Sequence, residues 1–338
     1  MPCLPLADAV ERLQSPYALE AFSPLGGAPI LIVDCRGPER VAADALAIAG
    51  ARLGEVACPT VAIVGAAVAP IVDRFDVVVS SEQDLAPILA VVARAPLAAA
   101  TLVQLLRHNA GLDTARGLLA ESLAYSTLQG GPECGAWLAS RGLAAPAPPS
   151  VEPAVLVSRS GGRLELVLNR PARRNALSVE MRDALVEALR LAESDASVTE
   201  IVLRGNGPAF CAGGDLDEFG TLPDPATAHG VRAIRGPARA LAAIADRVTV
   251  EVHGACVGAG IELPAFARRV VATPDAFFQL PEVAMGLVPG AGGTVSVTRR
   301  VGRQRCAWLA LTGRGIDAPT ALEWGLVDEV DERAQPGR

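Results

Sequence analysis

Residues 253–264 have the sequence HGACVGAGIELP, and this stretch decides the interpretation of the second half of the chain. The strand-like run VTVEVHG ends here, a turn rich in glycine and alanine follows, and a helix begins. Pro264 is tolerated only near a helix start, so the helix is predicted to begin close to Gly260. The unpaired N–H groups and positive dipole end of that helix face whatever lies before them. Glu262 falls in the same first turn.

Two further stretches combine glycines with acids. AFCAGGDLDEF, residues 209–219, leads from a strand into Gly213 and Gly214, where backbone can approach a ligand closely. FFQLPEVAMGLVPGAGGT, residues 277–294, places Glu282 directly after a proline. Each stretch alone has an ordinary interpretation as a tight turn, a helix-start carboxylate or an exposed loop acid. PGAGGT lacks the GK[ST] ending of a phosphate-binding loop, which excludes that interpretation.

Around these stretches, strands and helices alternate. LELVLNRP, EIVLRG, VTVEVHG and RRVVATPD have the β-branched composition of strands. SVEMRDALVEALRLAESD is an amphipathic helix with Ser178 as its N-cap. This alternation predicts the α/β fold class with layered sheets and helices.

The first half is predicted to be a smaller α/β layer followed by helices. PILIVDC, PTVAIVG and DVVVSS are strand-like, VAADALAIAGARL is helical, and the segment from Asp84 to Leu143 has helical spacing throughout. The prolines of AAPAPPSVEP favour an extended linker. We therefore divide the chain into a region 1–145, a linker 146–154 and a domain 155–338. The first half is either a degenerate copy of the second, since PTVAIVGAAVAP parallels VTVEVHGACVGAG, or a chance likeness among Val- and Ala-rich strands.

Composition narrows the class of protein. The 338 residues carry a formal charge of -7 and no Lys/Arg-rich block, which argues against nucleic acid as a partner. Seven dispersed cysteines predict reduced thiols in a cytoplasmic protein, and the three histidines lack metal-ligand spacing, so no metal is expected. The N-terminus is unlike a signal peptide, and Pro87, Arg94 and Pro96 interrupt the longest apolar stretch. A soluble protein without a membrane partner is expected.

The order of the three stretches resembles the crotonase, or enoyl-CoA hydratase/isomerase, superfamily. The resemblance runs from about Leu164 to Val330 and is carried by LNRPARRNALS, FCAGGDLDEF, VGAGIEL, FFQLPEVAMGLVPGAGGT and LTGRGIDAPTALEWGLVDEV. It implies a spiral of ββα repeats and an acyl-CoA substrate, with no cofactor other than the CoA of that substrate. It also implies a homo-oligomer, a trimer or hexamer.

The resemblance assigns site residues by motif position. The backbone N–H groups of Gly214 and Ala259 would form an oxyanion hole for the thioester oxygen, and Glu262 and Glu282 would hold a water molecule and act as acid and base. The CoA moiety would be bound by the chain around Arg173 to Ala176 and around Ala212 to Leu216. Within those segments the candidates are Arg173, Arg174, Ala176, Ala212, Asp215 and Leu216. The two arginines are either phosphate ligands or solvated loop residues.

The sequence departs from the family at several positions. Ala259 stands where a third glycine is usual, and Ala267-Arg268 replaces a frequent Cys-Asp pair. Family members usually continue for several helices after the block that ends at Val330, and the helical segment 84–143 is expected to take their place as a lid. AESLAYSTLQGGPE, residues 120–133, is similar to the N-terminal extension of a CoA-thioester dioxygenase subgroup. Glu121 and Tyr125 therefore either reach the substrate or serve as helix packing residues.

The retained glutamate pair favours hydration of a trans-2-enoyl-CoA, or the reverse dehydration. Two alternatives remain open. One is another enolate reaction, such as isomerisation or cofactor-free oxygenation of an aryl-acetyl-CoA. The other is a non-catalytic subunit that binds acyl-CoA. The sequence does not reveal the acyl group.

Overall fold

The computed structural model describes residues 3–37, 41–66, 69–142 and 152–331. Most of the predicted linker, from residue 146 to 151, lies outside these described residues. The first part of the chain forms a small α/β layer with these elements: β1 (Leu4–Pro5), α1 (Leu6–Gln14), α2 (Ala18–Ala21), β2 (Leu31–Asp34), α3 (Ala43–Leu53), β3 (Thr60–Ile63) and β4 (Val77–Val79).

This first sheet is parallel throughout, and its strands follow one another in the order β1-β2-β3-β4. Its Val-, Ile- and Ala-rich strands are largely buried, as is usual for a parallel sheet covered on both faces. The predicted strands in PILIVDC, PTVAIVG and DVVVSS and the predicted helix α3 are confirmed. The sequence analysis did not identify α1.

Four helices follow: α4 (Leu85–Arg94), α5 (Pro96–Asn109), α6 (Thr114–Gln129) and α7 (Pro132–Arg141). Local chemistry explains where they begin. Pro96 and Pro132 occupy first helical positions, where the missing N–H is not needed. The Asp113 side chain caps α6 by accepting a 2.9 Å hydrogen bond from the Arg116 N–H. The predicted helical character of this segment is confirmed.

Within the described residues, no single helix is long and apolar enough to cross a membrane. One pair, Glu82–Arg94 with Pro96–Asn109, meets that length and composition together but is bent by 110°.

The second half alternates strands and helices: β5 (Val155–Ser160), β6 (Arg163–Leu168), α8 (Val179–Ser194), β7 (Glu200–Gly205), α9 (Pro225–Arg235), α10 (Pro237–Ala243), β8 (Val248–Val252), β9 (Ala255–Val257), α11 (Ala259–Glu262), β10 (Arg269–Ala272), β11 (Phe277–Gln279), α12 (Gly293–Val301), α13 (Arg303–Thr312), β12 (Ile316–Asp317), α14 (Ala318–Trp324) and β13 (Glu329–Val330). The four predicted strands and the helix capped by Ser178 are confirmed. Strand β5, which forms an antiparallel hairpin with β6, was not predicted.

The main sheet has the order β13-β10-β8-β7-β6-β5, and a second sheet has the order β12-β11-β9. Strands β8 and β10 are each followed by a strand of the second sheet, β9 or β11, and then by a helix. Strand β7 follows the same course, because Cys211 forms an isolated bridge with Cys256 of β9. The chain therefore winds as a spiral of ββα repeats, which confirms the predicted fold class.

The two halves share one hydrophobic core. A continuous set of buried residues extends from Ile30 in the first half to Val327 in the second. Helices α5 and α6 pack against α12, and α6 also packs against α9 and α10. The segment expected to act as a lid thus lies directly on the second half, whereas the lid function itself stays a prediction. Whether the first sheet is a degenerate copy also stays open.

A buried ion-pair cluster joins the halves as well. Asp76 is 1% exposed and accepts hydrogen bonds from Arg107 Nε at 2.9 Å and from Arg303 Nη1 at 2.7 Å. The Thr60 N–H and hydroxyl also donate to it, at 2.9 and 2.8 Å. Every acceptor site of this carboxylate is thus used, which a buried charge requires.

Candidate active site

The three glycine-rich stretches meet at one place. The Val257 N–H donates to the Cys211 carbonyl at 3.0 Å, and the Gly258 N–H donates to the Gln279 carbonyl at 2.9 Å. The end of β9 therefore lies between the turn that follows Phe210 and strand β11. Residues that are far apart in sequence are brought to the same end of the second sheet.

Close backbone approach explains two of the glycines. Gly258 has φ of 51°, and a Cβ at that position would lie 2.4 Å from Glu282 Oε1 and 3.7 Å from the Gly213 Cα. A Cβ on Gly260 would lie 2.1 Å from the Cys211 carbonyl oxygen. A side chain at position 260 would therefore clash with the backbone of Cys211, and one at position 258 would displace the Glu282 carboxyl group.

The two amides that the sequence assigns to an oxyanion hole both lack an internal acceptor. Ala259 is the first residue of α11, which begins one residue before the predicted start. Gly214 forms an isolated β-bridge with Leu177, but its own N–H takes no part in it. The bridge consists of the Leu177 N–H donating to the Gly213 carbonyl and the Asp215 N–H donating to the Leu177 carbonyl. Within the described residues, neither the Gly214 nor the Ala259 N–H has a hydrogen-bond acceptor. Ala259 has no positive φ, so its departure from glycine causes no strain.

Glu262 is 2% exposed and lies against the start of α12. Its Oε2 accepts hydrogen bonds from the N–H groups of Ala291 and Gly293, both at 2.8 Å. A Cβ on Gly293 would lie 2.7 Å from the Glu262 Cγ, so glycine is needed there for this contact. The helix start therefore holds the carboxylate in one position.

Glu282 is in a different environment. The residue as a whole is partly exposed, yet its Oε2 is buried and has no hydrogen-bond partner within the described structure. It belongs to a 3₁₀ turn, Glu282–Met285, that follows β11. This oxygen is available as an acceptor for a bound molecule, because buried polar atoms are usually hydrogen-bonded.

A third acid, Glu121 of α6, reaches the same helix start from the first half. It is 2% exposed. Its Oε1 accepts from the Gly292 N–H at 2.7 Å, and its Oε2 accepts from the Thr294 N–H at 3.0 Å and the Thr294 hydroxyl at 2.6 Å. The sequence left its role open between substrate contact and packing. Glu121 is buried, and it does more than fill space, because its carboxyl oxygens accept hydrogen bonds from the same backbone segment that binds Glu262.

Burial raises the pKa of all three carboxyl groups. For Glu262 it raises the pKa to about 7, opposed by the hydrogen bonds from Gly293 and Ala291. For Glu121, burial and then the charge of Glu262 raise the pKa to about 8, against the hydrogen bonds from Thr294 and Gly292. For Glu282, burial and then the charge of Glu262 hold the pKa well above its ordinary value. The hydrogen bonds from the α12 start favour the ionised form of Glu262, whereas Glu282 Oε2 has no such bond, so Glu262 is the more readily ionised of these two acids.

The two segments predicted to bind CoA are tied to each other. Asp215 is 4% exposed, and its carboxylate pairs with Arg170 at 2.8 Å and with Arg173 at 3.0 Å. Arg173 also pairs with Asp217. The Asp215 side chain thus links the two loops from inside, and its predicted contact with CoA stays a prediction, as does that of Arg173.

The other predicted CoA ligands lie along these loops. Arg174 is exposed with φ of 50°, and its carbonyl accepts from the Ala212 N–H at 2.9 Å. The carbonyl of Ala176 accepts from Arg170, and Leu216 begins a 3₁₀ turn capped by Asp215. Of the three charged candidates, Arg173 and Asp215 form ion pairs, whereas Arg174 forms none among the described residues. Their binding roles are untested.

Asn175 was missed by the sequence analysis. It is fully buried with φ of 53°, accepts from the Arg170 N–H at 2.8 Å, and donates to the carbonyls of Asn206 and Ala209 at 2.8 and 2.9 Å. Asparagine tolerates this left-handed conformation better than most residues. In the sequence, this residue follows Arg173 and Arg174 in a loop that begins at Pro171, and an Asn in such a loop is the one local indication of a left-handed conformation.

Metal ligands and cysteine thiols are the other groups near the site that could take part in chemistry. Within the described part of the chain, no group of three or more His, Cys, Asp or Glu side chains is placed to hold a metal ion. Cys211 lies beside the proposed oxyanion hole, but burial raises the pKa of its thiol to about 12. It therefore stays a protonated, weak nucleophile.

A cavity of about 360 Å³ adjoins these acids. We call it the α6–α9 cavity, because α6 (residues 115–122) and the region around α9 (residues 229–239) form its walls together with residues 290–292. Leu177 also lines it, and Leu177 shares a small void with Ala259. The cavity is therefore adjacent both to the helix start that holds Glu262 and to the predicted oxyanion donors.

Comparison with known proteins gives consistent matches. A family model described as enoyl-CoA hydratase/isomerase matches residues 159–336. A 2,3-dehydroadipyl-CoA hydratase of Escherichia coli (strain K12) is 40% identical over 176 residues, which are 52% of this chain and 68% of that protein. A 1,2-epoxyphenylacetyl-CoA isomerase of the same organism is 36% identical, over 50% of this chain and 66% of that protein.

Among solved structures, the enoyl-CoA hydratase of Thermoplasma volcanium GSS1 has a TM-score of 0.50 at 34% identity. The match covers 54% of this chain and 73% of that chain. This chain thus spans about two thirds of the length of the relatives it matches.

Proposed function

The chain belongs to the enoyl-CoA hydratase/isomerase (crotonase) family, and from that premise we propose that it hydrates a trans-2-enoyl-CoA. One observation carries the proposal. Two acids in different environments, the buried Glu262 and Glu282 with its buried Oε2, occur on the same three stretches as two backbone amides without acceptors, those of Gly214 and Ala259. This combination suits a reaction in which negative charge develops on the thioester oxygen while one proton is taken from water and another is delivered to the substrate.

The two amides would bind the thioester oxygen. Attack at C3 pushes electrons toward the carbonyl, so negative charge grows on that oxygen in the enolate. Fixed donors at that position stabilise the transition state more than the ground state. Removal of one such donor typically costs about 3–4 kcal/mol of transition-state stabilisation.

The unequal pKa values assign the proton transfers. Glu262 ionises more readily, so it accepts a proton from water as the water oxygen bonds to C3. Glu282, whose pKa burial raises, would deliver the proton to C2 of the enolate. Product release leaves Glu262 protonated and Glu282 ionised, and one proton moved through solvent restores the starting state. The family resemblance implies that both acids act from one side, so water and proton would add to one face of the double bond.

An assay with crotonyl-CoA tests the proposal, because hydration removes the absorbance of the conjugated thioester. Glu262→Gln and Glu282→Gln should each lower kcat by about 10²–10⁴-fold. Glu187→Gln, an exposed residue of α8, should leave kcat unchanged. If the wild-type protein binds crotonyl-CoA but neither crotonyl-CoA nor longer enoyl-CoA thioesters gain water, the hydratase proposal is wrong.

Another enolate reaction is the second candidate function. It is favoured by Glu121, an acid that the N-terminal half adds to the site, and by the relative named as a 1,2-epoxyphenylacetyl-CoA isomerase. Product analysis by mass spectrometry separates the classes, because hydration adds one water, isomerisation leaves the mass unchanged and oxygenation adds oxygen. Acyl-CoA binding without turnover of any substrate would instead indicate the non-catalytic subunit.

The proposed partners are an acyl-CoA and further copies of the chain, with no cofactor beyond the CoA of the substrate. Light scattering of the purified protein tests the expected trimer or hexamer. Activity that survives dialysis against a chelator tests the absence of a metal requirement.

A further inference from the structure

The α6–α9 cavity contains a cation that forms no ion pair with a carboxylate of the described residues. Arg232 of α9 is half-buried in its wall. Within the described residues no Asp or Glu oxygen lies within 4.0 Å of its guanidinium, although most other arginines of the second half have such a partner. A partly desolvated guanidinium without a counter-ion is costly, so the protein retains a positive charge here that a ligand can neutralise.

Neutral groups hold this guanidinium in place. Its Nε donates to the Ser122 hydroxyl at 3.2 Å, its Nη2 donates to the Ser126 hydroxyl, and it stacks over the Tyr125 ring at 4.5 Å. These contacts fix its orientation without forming an ion pair. Burial lowers the pKa of Arg232, and Tyr125 and the charge of Glu121 oppose this lowering, Glu121 from beyond ion-pair distance. The two N–H groups of Nη1 have no acceptor among the described residues.

The Ser122 hydroxyl also contacts a second polar group of the cavity wall, His229. Its oxygen accepts a hydrogen bond from Arg232 and lies 2.8 Å from His229 Nδ1, so Ser122 connects these two side chains. The N–H groups of Arg232 Nη1 suit an oxygen that accepts hydrogen bonds.

Other charged groups at the cavity do not cancel this preference. Arg116, Arg182 and the exposed Arg239 also line it. Arg116 pairs with Asp113, Arg182 pairs with Asp183, which Arg235 also contacts, and Arg239 forms no ion pair within the described residues. The one carboxyl group in the wall is Glu121, whose oxygens are both bound by the α12 start. The cavity is thus positive overall.

The position of the cavity indicates which part of the substrate would enter it. Residues 290–292 form its wall, and the same segment donates to Glu262 through Ala291. Glu262 is proposed to act at C2 and C3. The part of the substrate that enters the cavity would therefore be the acyl chain beyond these two carbons. A volume of about 360 Å³ exceeds twice the roughly 150 Å³ of a cavity that holds benzene.

We propose that the acyl group of the substrate ends in a carboxylate, and that Arg232, supported by Ser122 and His229, binds this carboxylate in the α6–α9 cavity. The substrate class is then the mono-CoA thioester of an unsaturated dicarboxylic acid. This inference rests on the proposed function for the identity of the reacting end, and it adds the identity of the far end.

Calorimetric binding tests it without requiring turnover. The probes are the mono-CoA thioester of hexanedioic acid, its monomethyl ester and free CoA. The wild-type protein should bind the acid about 10- to 100-fold more tightly than the ester, because a charged hydrogen bond contributes that much. Arg232→Gln should remove this difference, Arg232→Lys should retain part of it, and Arg235→Gln, an outward neighbour on α9 paired with Glu187, should keep it whole.

Three results would overturn the proposal. The first is equal affinity of the wild-type protein for acid and ester. The second is weaker binding of free CoA by Arg232→Gln, because Arg232 would then bind a CoA phosphate. The third is tighter binding of a hydroxyaryl-acetyl-CoA than of the acid. If Arg232→Gln does not fold, the wild-type comparison of acid with ester and the Arg232→Lys variant still decide. Failure of crotonyl-CoA hydration alone leaves these affinities untouched, so the two proposals fail separately.

Discussion

Glu121 and Glu262 bind alternate amides of the same helix start. The N–H groups of Ala291 and Gly293 donate to Glu262, and those of Gly292 and Thr294 donate to Glu121. The positive end of α12 thus holds one acid from each half of the chain. The first half contributes directly to the position of a proposed catalytic group.

Replacement of Glu121 should therefore impair catalysis through Glu262. Glu121→Ala leaves two buried N–H groups without acceptors, and we expect a loss of about 1–3 kcal/mol in the free energy of unfolding and at least a tenfold fall in kcat. Glu121→Gln retains an acceptor oxygen and should recover most of both. As a positioning residue, Glu121 should change kcat more than the affinity for free CoA. Equal kcat for wild type and Glu121→Ala would exclude this role.

Stability should decrease as the pH rises from about 5 to 8. The folded protein holds Glu262 and Glu121 protonated up to a pKa of about 7 and about 8, whereas the unfolded chain releases these protons near 4.5. Over this window the folded state binds more protons, so each acid lowers the free energy of unfolding by up to about 1.4 kcal/mol per pH unit. Urea titrations at several pH values measure the slope. Glu121→Gln should flatten it, and an unchanged slope would contradict the assignment.

Loss of the Glu262 charge should lower the pKa of Glu282. Burial raises the pKa of Glu282 first and the neighbouring charge raises it further, so Glu262→Gln removes the second cause only. NMR titration of ¹³C-labelled glutamate side chains follows this directly. Glu187→Gln serves as the control, because its exposed carboxylate lies outside the site. A Glu282 pKa that does not move in Glu262→Gln would show that the two acids do not interact.

An alanine at position 258 should disable the site without unfolding the protein. The positive φ makes a side chain unfavourable by about 1–3 kcal/mol, and the new Cβ would lie 2.4 Å from Glu282 Oε1. Displacement of that carboxyl by about 1 Å should lower kcat by roughly 100-fold. Gly135→Ala, in open space on α7, should be neutral or slightly stabilising. Normal activity of Gly258→Ala would contradict the proposed position of Glu282.

Loss of the Asp76 charge should weaken the junction between the two halves. Asp76→Asn leaves Arg107 and Arg303 buried without a counter-ion, and we expect a loss of about 3–5 kcal/mol in the free energy of unfolding. The exposed pair of Arg163 and Glu200 supplies the control, because Glu200→Ala should cost at most about 1 kcal/mol. Urea unfolding followed by tryptophan fluorescence measures both. Similar losses in the two variants would show that Asp76 does not stabilise the junction.

Features that depend on neighbouring residues in sequence were predicted correctly. The Ser178 side chain caps α8, four strands of the second half (β6, β7, β8 and β10) occur where β-branched runs predict them, and α11 begins one residue from the expected position. These features are local, because capping and strand preference act over a few residues. Strand β5 was missed because VLVSRS is largely exposed and lacks a clear apolar alternation.

By itself, the sequence determined the α/β class and the family, and it predicted the pair of glutamates, because a turn, a cap and a motif are encoded in adjacent residues. Only the tertiary structure decided that Glu121 shares a helix start with Glu262, that Arg232 faces a cavity without a counter-ion, and that Asp215 is turned inward. These relationships join residues from distant elements. Burial and packing bring such residues together, and no local pattern in the chain records which of them will meet.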